Sequence, residues 1–186
     1  MLNSIMDNVN ENCDTAFCNR FVAGSDIEEV GKKVVQAFDT RSRFFHFEFF
    51  RLDADKEGLG KKGDLVGLEV NMRAPGAYMP DMINFSYETD VYTIWADMLI
   101  YDECFMDVKQ KYLVAYIGRR DGIDYMLSND QINQKYGDLV MLDVDVPEAL
   151  SAAMGNHVFM VRAENQEHLD FLMDELLRRS DGRNWR

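Results

Sequence analysis

The chain has 186 residues, of which 47% are hydrophobic, a composition that excludes a disordered polar segment and allows a sizeable core. Acidic residues outnumber basic ones by 33 to 20, and the net charge of −13 argues against a nucleic-acid partner, whose phosphate backbone is also anionic. No apolar run reaches the roughly 18 residues of a membrane span, so we expect neither a membrane partner nor a secretion signal.

The first half of the chain predicts a helix followed by a β-hairpin. Residues 1–24 are rich in Asn and weakly patterned, so no element is predicted there. Ser25 is a suitable N-cap, and the apolar residues over 27–38 recur at helical spacing. Aromatic residues alternate with other side chains over 44–50, and a loop rich in Gly and Lys separates this strand from a second alternating strand over 65–71.

The second half continues as a mixture of helices and strands. The order of elements predicts an α+β fold with a mostly antiparallel sheet and flanking helices. We expect two domains, residues 1–106 and residues 107–186, of which the second is a small α+β extension. The predicted elements are a helical region over 81–101 that restarts near Thr89, a strand over 112–118, a helix from Ser128 to Gly137, strands over 139–146 and 157–163, and a closing helix over 166–179.

The cysteine usage bears on the cellular compartment. Cys13, Cys18 and Cys104 match none of the spacings of metal-binding motifs, and their odd number does not suit a disulfide framework. Reduced thiols are typical of proteins inside the cell. The three cysteines therefore predict a cytoplasmic protein.

Polar side chains that suit a metal ion gather on one face of the predicted hairpin. A period of two places His46 and Glu48 on one face of the first strand. The same period places Glu69 and Asn71 on one face of the second, whereas Phe, Leu and Val form the opposite face and predict a core there. Carboxylates and a carboxamide at this density suit Mg²⁺ or Mn²⁺. Arg73 follows on the same face, and an arginine beside such a metal is expected where phosphate oxygens lie.

A simpler interpretation of these residues is open at this point. Glu48, Glu69 and Arg73 also suit cross-strand ion pairs on a solvated face, which is the commoner fate of such residues. His46 either orients the Glu48 carboxylate or is a partly buried, hydrogen-bonded histidine. The aromatic residues on both sides of Glu48 favour the metal site, because a solvated face seldom carries so many of them.

Two segments of the hairpin resemble a known family. Residues 44–50 (FFHFEFF) and 68–76 (LEVNMRAPG) are similar to the C-terminal half of the ATP-grasp fold, as in biotin carboxylase and the large subunit of carbamoyl phosphate synthase. In that superfamily an acid in a hydrophobic strand and a Glu-x-Asn-x-Arg element on the next strand hold the Mg²⁺ ions that bridge the ATP phosphates. The resemblance covers residues 20–105, and residues 110–179 are similar more loosely.

The resemblance implies a role for each residue of the motif. Glu48, Glu69 and Asn71 are the implied ligands of Mg²⁺ or Mn²⁺. Arg73 is the implied catalytic residue near the γ-phosphate, and together with the three ligands it forms the implied binding site for the cofactor ATP. The implied activity is that of an ATP- and Mg²⁺-dependent ligase, which activates a carboxylate as an acyl phosphate for attack by an amine or a similar nucleophile. The implied partners are ATP, a small carboxylate and an amine-type acceptor.

The chain departs from the family in its N-terminal part. ATP-grasp enzymes are similar in having two lysines, a Gly-rich phosphate loop and an adenine-binding linker before this hairpin, and the 43 residues that precede Phe44 contain no such set. We therefore expect the chain to be a C-terminal fragment that is inactive alone and binds Mg²⁺ weakly. The surface left by the absent half is expected to favour self-association.

Two other functions agree with part of the sequence. The alternative to a ligase is a non-catalytic ATP-grasp-like binding or interaction module, which uses its C-terminal part for docking or for sensing a small molecule. A stand-alone metal hydrolase is disfavoured, because three oxygen ligands leave a bound water without an evident base. Cys104 and Ser151 have no base at a recognisable spacing, so no nucleophile is predicted.

Other candidate positions carry weaker signals. Residues 74–79 follow the motif and either line an acceptor pocket or form a plain turn. Arg119 and Arg120 end a predicted strand, where they reach an anionic substrate or, as the pattern favours, lie in a solvated turn. His157 and His168 are far in sequence from any pair of acids, so no role is assigned to them.

Overall fold

The computed structural model describes residues 13–106, 108–183 and 185 of the chain. Within these residues the protein is α+β, with six helices, a four-stranded antiparallel sheet and a two-stranded antiparallel sheet, and this confirms the predicted fold class. The elements in chain order are β1 (Thr15–Cys18), α1 (Asp26–Ala37), β2 (His46–Arg51), β3 (Leu65–Asn71), α2 (Met79–Tyr87), α3 (Val91–Tyr101), β4 (Leu113–Arg119), α4 (Asn129–Tyr136), β5 (Val140–Asp145), α5 (Glu148–Met154), β6 (His157–Ala163) and α6 (Gln166–Leu176).

Among the described helices, none is long and apolar enough to cross a membrane. The prediction that no element forms over residues 1–24 falls partly outside the described residues, because residues 1–12 are not among them.

The described chain divides into two compact units. Unit 1 comprises residues 13–20 and 82–88 with the described residues from 108 onward, and unit 2 comprises residues 21–81 and 89–106.

Unit 1 is built on the four-stranded sheet, whose strand order is β1-β4-β6-β5. The central strands β4 and β6 are nearly continuous apolar runs and are largely buried, which is the pattern of strands that are covered on both faces. Helix α6 packs Leu169, Leu172 and Leu176 into this core at the helical spacing that the sequence shows. The main apolar core of the described residues therefore lies in unit 1.

Unit 2 contains the ribbon of β2 and β3 together with helices α1 and α3. Ser25 caps α1 by accepting a hydrogen bond from the amide of Glu28, as its position in the sequence predicts. Arg51 donates two hydrogen bonds to the carboxylate of Asp26, at 2.7 and 2.9 Å, and so joins the ribbon to that helix. The expected core over the apolar face of the ribbon is not found among the described residues: no residue of β2 or β3 is buried, and Leu68 is half-exposed.

Two short elements, β1 and α5, were not predicted. Strand β1 has only four residues and is defined by its pairing with β4, where Thr15 lies opposite Gly118. Because this pairing places the start of the described chain in unit 1, the compact units do not follow the boundary predicted at residue 106. The assignment of residues 1–106 and 107–186 to an ATP-grasp subdomain and an extension stays a prediction.

The end of β4 is buried, contrary to the solvated turn that its pattern favours. Arg119 and Arg120 are only 4% and 5% exposed. Arg120 donates hydrogen bonds to the backbone carbonyls of Cys13, Ser151 and Ala152. The prediction of a solvated turn is wrong because segments distant in sequence supply acceptors that the local pattern does not show.

Candidate metal centre on the ribbon

The register of β2 and β3 brings the polar residues of the motif together. His46 lies opposite Asn71, and Glu48 lies opposite Glu69. Residues directly opposite each other in an antiparallel pair share a face, and their side chains contact across it. The grouping that a period of two predicts for this face is therefore found in the structure.

Three of these side chains point potential ligand atoms at one another. One ligand atom from each of His46, Glu48 and Glu69 lies within 4.8 Å of the others. Both glutamates are exposed, and neither makes a salt bridge or a hydrogen bond within the described residues. Like charges directly opposite each other destabilise a strand pair. A cation between the two carboxylates would remove that repulsion.

His46 holds the carboxamide of Asn71. Its Nε2 lies 2.9 Å from Asn71 Nδ2, and its Nδ1 lies 3.3 Å from the carbonyl oxygen of Arg73. Both contacts are satisfied when Nδ1 carries the proton and Nε2 accepts from the amide, so the network assigns this tautomer. The amide nitrogen of Asn71 is then directed to the imidazole, which leaves its carbonyl oxygen as an acceptor for another partner.

A β-bulge follows the acidic pair directly. The register shifts between Glu48 and Phe49, so that Phe49 lies opposite Gly67 and Leu68 is the extra residue. A bulge bends the ribbon and increases its local twist. The period of two therefore breaks at Leu68, which the sequence pattern had assigned to the regular apolar face.

Arg73 lies apart from the two carboxylates. Its Nη1 donates a hydrogen bond to the carbonyl oxygen of Ala74 at 3.0 Å, and the side chain is exposed. No described contact joins its guanidinium to Glu48 or Glu69. The cross-strand ion pair that was the simpler interpretation is thus not formed, and the role of Arg73 at a phosphate stays a prediction.

The segment after the motif contains two perturbed groups that sequence reasoning missed. Burial raises the pKa of the Asp81 carboxyl, and burial together with the nearby charge of Asp81 raises the pKa of Tyr78. A carboxyl whose pKa is raised by burial is a typical group for proton transfer. No pattern in residues 74–81 shows this burial in advance. Whether residues 74–79 line an acceptor pocket stays a prediction.

The donor set fits a divalent cation. The carboxylates of Glu48 and Glu69 are hard oxygen ligands that suit Mg²⁺ and Mn²⁺ equally. In the tautomer assigned above, both ring nitrogens of His46 are engaged by Asn71 and Arg73, so His46 acts here by positioning Asn71 and not as a ligand. The contact with His46 uses the amide nitrogen of Asn71, and the role of its carbonyl oxygen as a metal ligand stays a prediction.

Comparisons with known proteins add no relative to this description. No protein-family model matches the chain, and no curated protein matches it. The resemblance to ATP-grasp enzymes therefore depends on the residues of β2, β3 and the turn that follows.

Proposed function

We propose that this chain supplies the metal- and phosphate-binding part of an ATP-grasp ligase, which uses ATP and Mg²⁺ or Mn²⁺ to activate a carboxylate for attack by an amine. The observation that carries the proposal is the convergence of Glu48, Glu69 and His46 across the ribbon, with Asn71 held by the histidine. These are the residues at which the sequence resembles the family. The proposed partners are ATP, a small carboxylate and an amine-type acceptor.

Each residue of the ribbon has a distinct part in this proposal. Glu48 and Glu69 hold the divalent ion, which when bound neutralises charge on the phosphate oxygens of ATP. His46 holds the amide nitrogen of Asn71, so the carbonyl oxygen of Asn71 would be available as a further ligand. Arg73 is exposed, and its one described hydrogen bond is to a backbone carbonyl, so its guanidinium can turn to the γ-phosphate at little cost.

The proposed location is the cytoplasm. Cys18 and Cys104 are free cysteines, and reduced thiols are typical of proteins in a reducing compartment. ATP and Mg²⁺ are also available there to a ligase of this class.

Metal binding provides the first test. We expect the chain to bind Mn²⁺ saturably, with a dissociation constant on the order of 1 mM because the protein supplies few ligands. Glu48→Gln and Glu69→Gln should each weaken this binding by about tenfold or more. Electron paramagnetic resonance of free Mn²⁺ gives the bound fraction. Glu57→Gln is the matched control, since Glu57 is an exposed acid in the loop between β2 and β3. Unchanged binding in Glu69→Gln would refute the metal centre.

Turnover provides the second test. In the complete gene product, ADP release that depends on both a carboxylate and an amine is expected, and Glu69→Gln or Asn71→Ala should abolish it. Glu57→Gln should leave it intact. ADP release that persists in both Glu69→Gln and Asn71→Ala would contradict the proposed ligase function. If no such release occurs in the wild type while Mn²⁺ still binds at Glu48 and Glu69, the protein is the non-catalytic module instead.

A further inference from the structure

A second polar site lies in unit 1, away from the motif residues in sequence. A cavity of about 460 Å³ opens where β4 ends and α4 begins. It is lined by the loop and helix start over 119–131, including Arg119, Tyr125 and Asn129, and by His157. The sequence pattern favours a solvated turn here and leaves an anionic substrate only as the alternative, because the lining residues come from a loop that joins two elements of the core.

Arg119 is a buried cation that forms no salt bridge within the described residues. It is 4% exposed, and its terminal nitrogens donate to Asn129 Oδ1 and to the carbonyl oxygen of Leu127, both at 2.7 Å. Its guanidinium lies 3.7 Å from the centre of the Tyr125 ring. Its Nε, which is buried, has no hydrogen-bond partner within the described residues, nor does Arg119 form a salt bridge there. An unpaired buried charge is costly unless a ligand supplies the missing partner.

The buried carboxylate of Asp14 already has partners other than Arg119. Asp14 accepts hydrogen bonds from Tyr125 at 2.5 Å and from Arg179 at 2.7 Å, and it forms its salt bridge with Arg179. Arg120, which is also buried, is bonded to backbone carbonyls. The buried groups around this cavity therefore carry more positive than negative charge, in a chain whose total charge is strongly negative.

The start of α4 adds a donor at the same place. The capping box of this helix uses the amides of Ser128 and Gln131. The amide of Asn129, which is also a lining residue, is among the first-turn amides that have no acceptor inside the helix. A helix N-terminus favours negative charge, and here a buried arginine lies beside it.

The acidic residues near the cavity limit the size of its ligand. Asp124 is engaged by the hydroxyl of Ser180 at 2.6 Å, and Asp121 is exposed. His157 lies between the carboxylates of Asp143 and Asp145. Such acids repel an extended polyanion, whereas a small anion that reaches Arg119 would meet a guanidinium whose nearby carboxylate, Asp14, is salt-bridged to Arg179.

We propose that this cavity binds a small oxyanion, the carboxylate or phosphate group of a metabolite. The unpaired N–H groups of Arg119 and the amide of Asn129 are its donors. Planar two-point hydrogen bonding to carboxylate or phosphate is the characteristic use of an arginine held in a fixed orientation. The proposal does not depend on the metal centre, because every residue that carries it belongs to unit 1.

Titration of the wild-type chain tests the site directly. Amide resonances are followed by NMR while inorganic phosphate, or separately acetate, replaces sodium chloride at constant ionic strength. We expect saturable shifts concentrated in residues 119–131, from phosphate, acetate or both, and the two series identify which oxyanion is preferred. Shifts from neither anion, or shifts spread over the lysine-rich loop of unit 2, would overturn the proposal.

Substitution of the arginine provides the second test. Arg119→Gln should weaken the binding of the preferred anion by about tenfold, while Arg119→Lys should recover part of it by restoring the charge. Arg20→Gln is the matched control, because Arg20 is an exposed arginine of the same unit. Equal anion binding in wild type and in a folded Arg119→Gln would mean an adventitious ion only.

Discussion

The two units differ most in where their apolar residues lie. In unit 1 all seven residues of β4 are buried. In unit 2 no residue of β2 or β3 is buried, and Leu52 and Val91 are the only buried apolar residues among the described residues of that unit. The difference shows that strand pattern alone does not decide burial: β4 has neighbours on both sides in its sheet, whereas β2 and β3 have only each other.

The same difference distinguishes the unit with the stable core from the unit that carries the candidate metal centre. A two-stranded ribbon is marginally stable in water, whereas a four-stranded sheet with a packed helix is an independent core. The candidate metal centre lies on the ribbon, and elements of low local stability are those from which binding regions are commonly drawn. Unit 1 therefore provides most of the stability, and unit 2 provides the surface at which the carboxylates are accessible.

Truncation of one phenylalanine in each unit tests this contrast most strongly. Phe159 is fully buried in β6, and Phe159→Ala should lower the free energy of unfolding of unit 1 by about 3–5 kcal/mol, because it leaves a cavity. Phe50 of β2 is 59% exposed, so Phe50→Ala should cost well under about 1 kcal/mol.

The two tryptophans allow each unit to be followed separately. Trp185 lies against the core of unit 1, and Trp95 lies in unit 2. Urea unfolding is measured by fluorescence in single-tryptophan variants, with Trp95→Phe to follow unit 1 and Trp185→Phe to follow unit 2. Equal losses for the two phenylalanine substitutions would contradict the difference between the units.

The buried acid of unit 1 gives a pH-dependent comparison. Burial alone would raise the pKa of Glu175, but hydrogen bonds from Lys135 and Tyr136 and the charge of Arg178 bring that pKa below its ordinary value of 4.5. A lowered pKa stabilises the fold above the unfolded-state value, and that contribution is lost as the pH falls through the folded-state value. Glu175→Gln should therefore cost about 1 kcal/mol at neutral pH. The difference from wild type should shrink as the pH falls below 4.5 in urea unfolding.

The exposed acid of unit 2 is the control for that experiment. Arg51 lowers the pKa of Asp26 through its hydrogen bonds, yet both side chains are about half-exposed, and solvent screens their attraction. Asp26→Asn should accordingly change stability less than Glu175→Gln at neutral pH. A larger effect of Asp26→Asn would mean that the ribbon contributes more to stability than its burial indicates.

The smallest expected effect comes from the acidic pair itself. Without a divalent cation, Glu69→Gln should stabilise unit 2 by about 0.5 kcal/mol, because it removes the repulsion from Glu48 directly opposite. With Mn²⁺ present the wild type should be more stable than Glu69→Gln, because only the wild type gains free energy from binding the ion. Unfolding followed at Trp95 measures both conditions, and Glu57→Gln should behave like wild type in each. A loss of stability in metal-free Glu69→Gln would show that the carboxylates do not repel each other.

The fold was predicted well where its signals are local. The N-cap at Ser25, the capping box at Ser128 and the apolar spacing in α6 identified three helices near their observed starts. Strand β3 has the predicted bounds, 65–71. Strand β1 was missed because four residues are too few for a pattern, and its existence depends on β4, which follows about 100 residues later.

The candidate site, too, was predicted from the sequence only where its signals are local. Alternation along each strand placed Glu48 and Glu69 on one face, and this follows from the strand conformation alone. The hydrogen bond from Asn71 to His46 depends on the register between two strands, and the bulge at Leu68 breaks the local pattern. Arg119 was assigned to a solvated turn because its acceptors come from residues that only the folded loop brings to it.

The sequence by itself determined the α+β class, most of the elements and the acidic face of the ribbon, because helix caps, periodicity and strand alternation act over a few residues. The tertiary structure decided which strands are buried, where the two units divide and which charged groups lack a partner. Those properties depend on contacts between segments far apart in the chain, and a local pattern carries no information about a partner that reaches it only after folding.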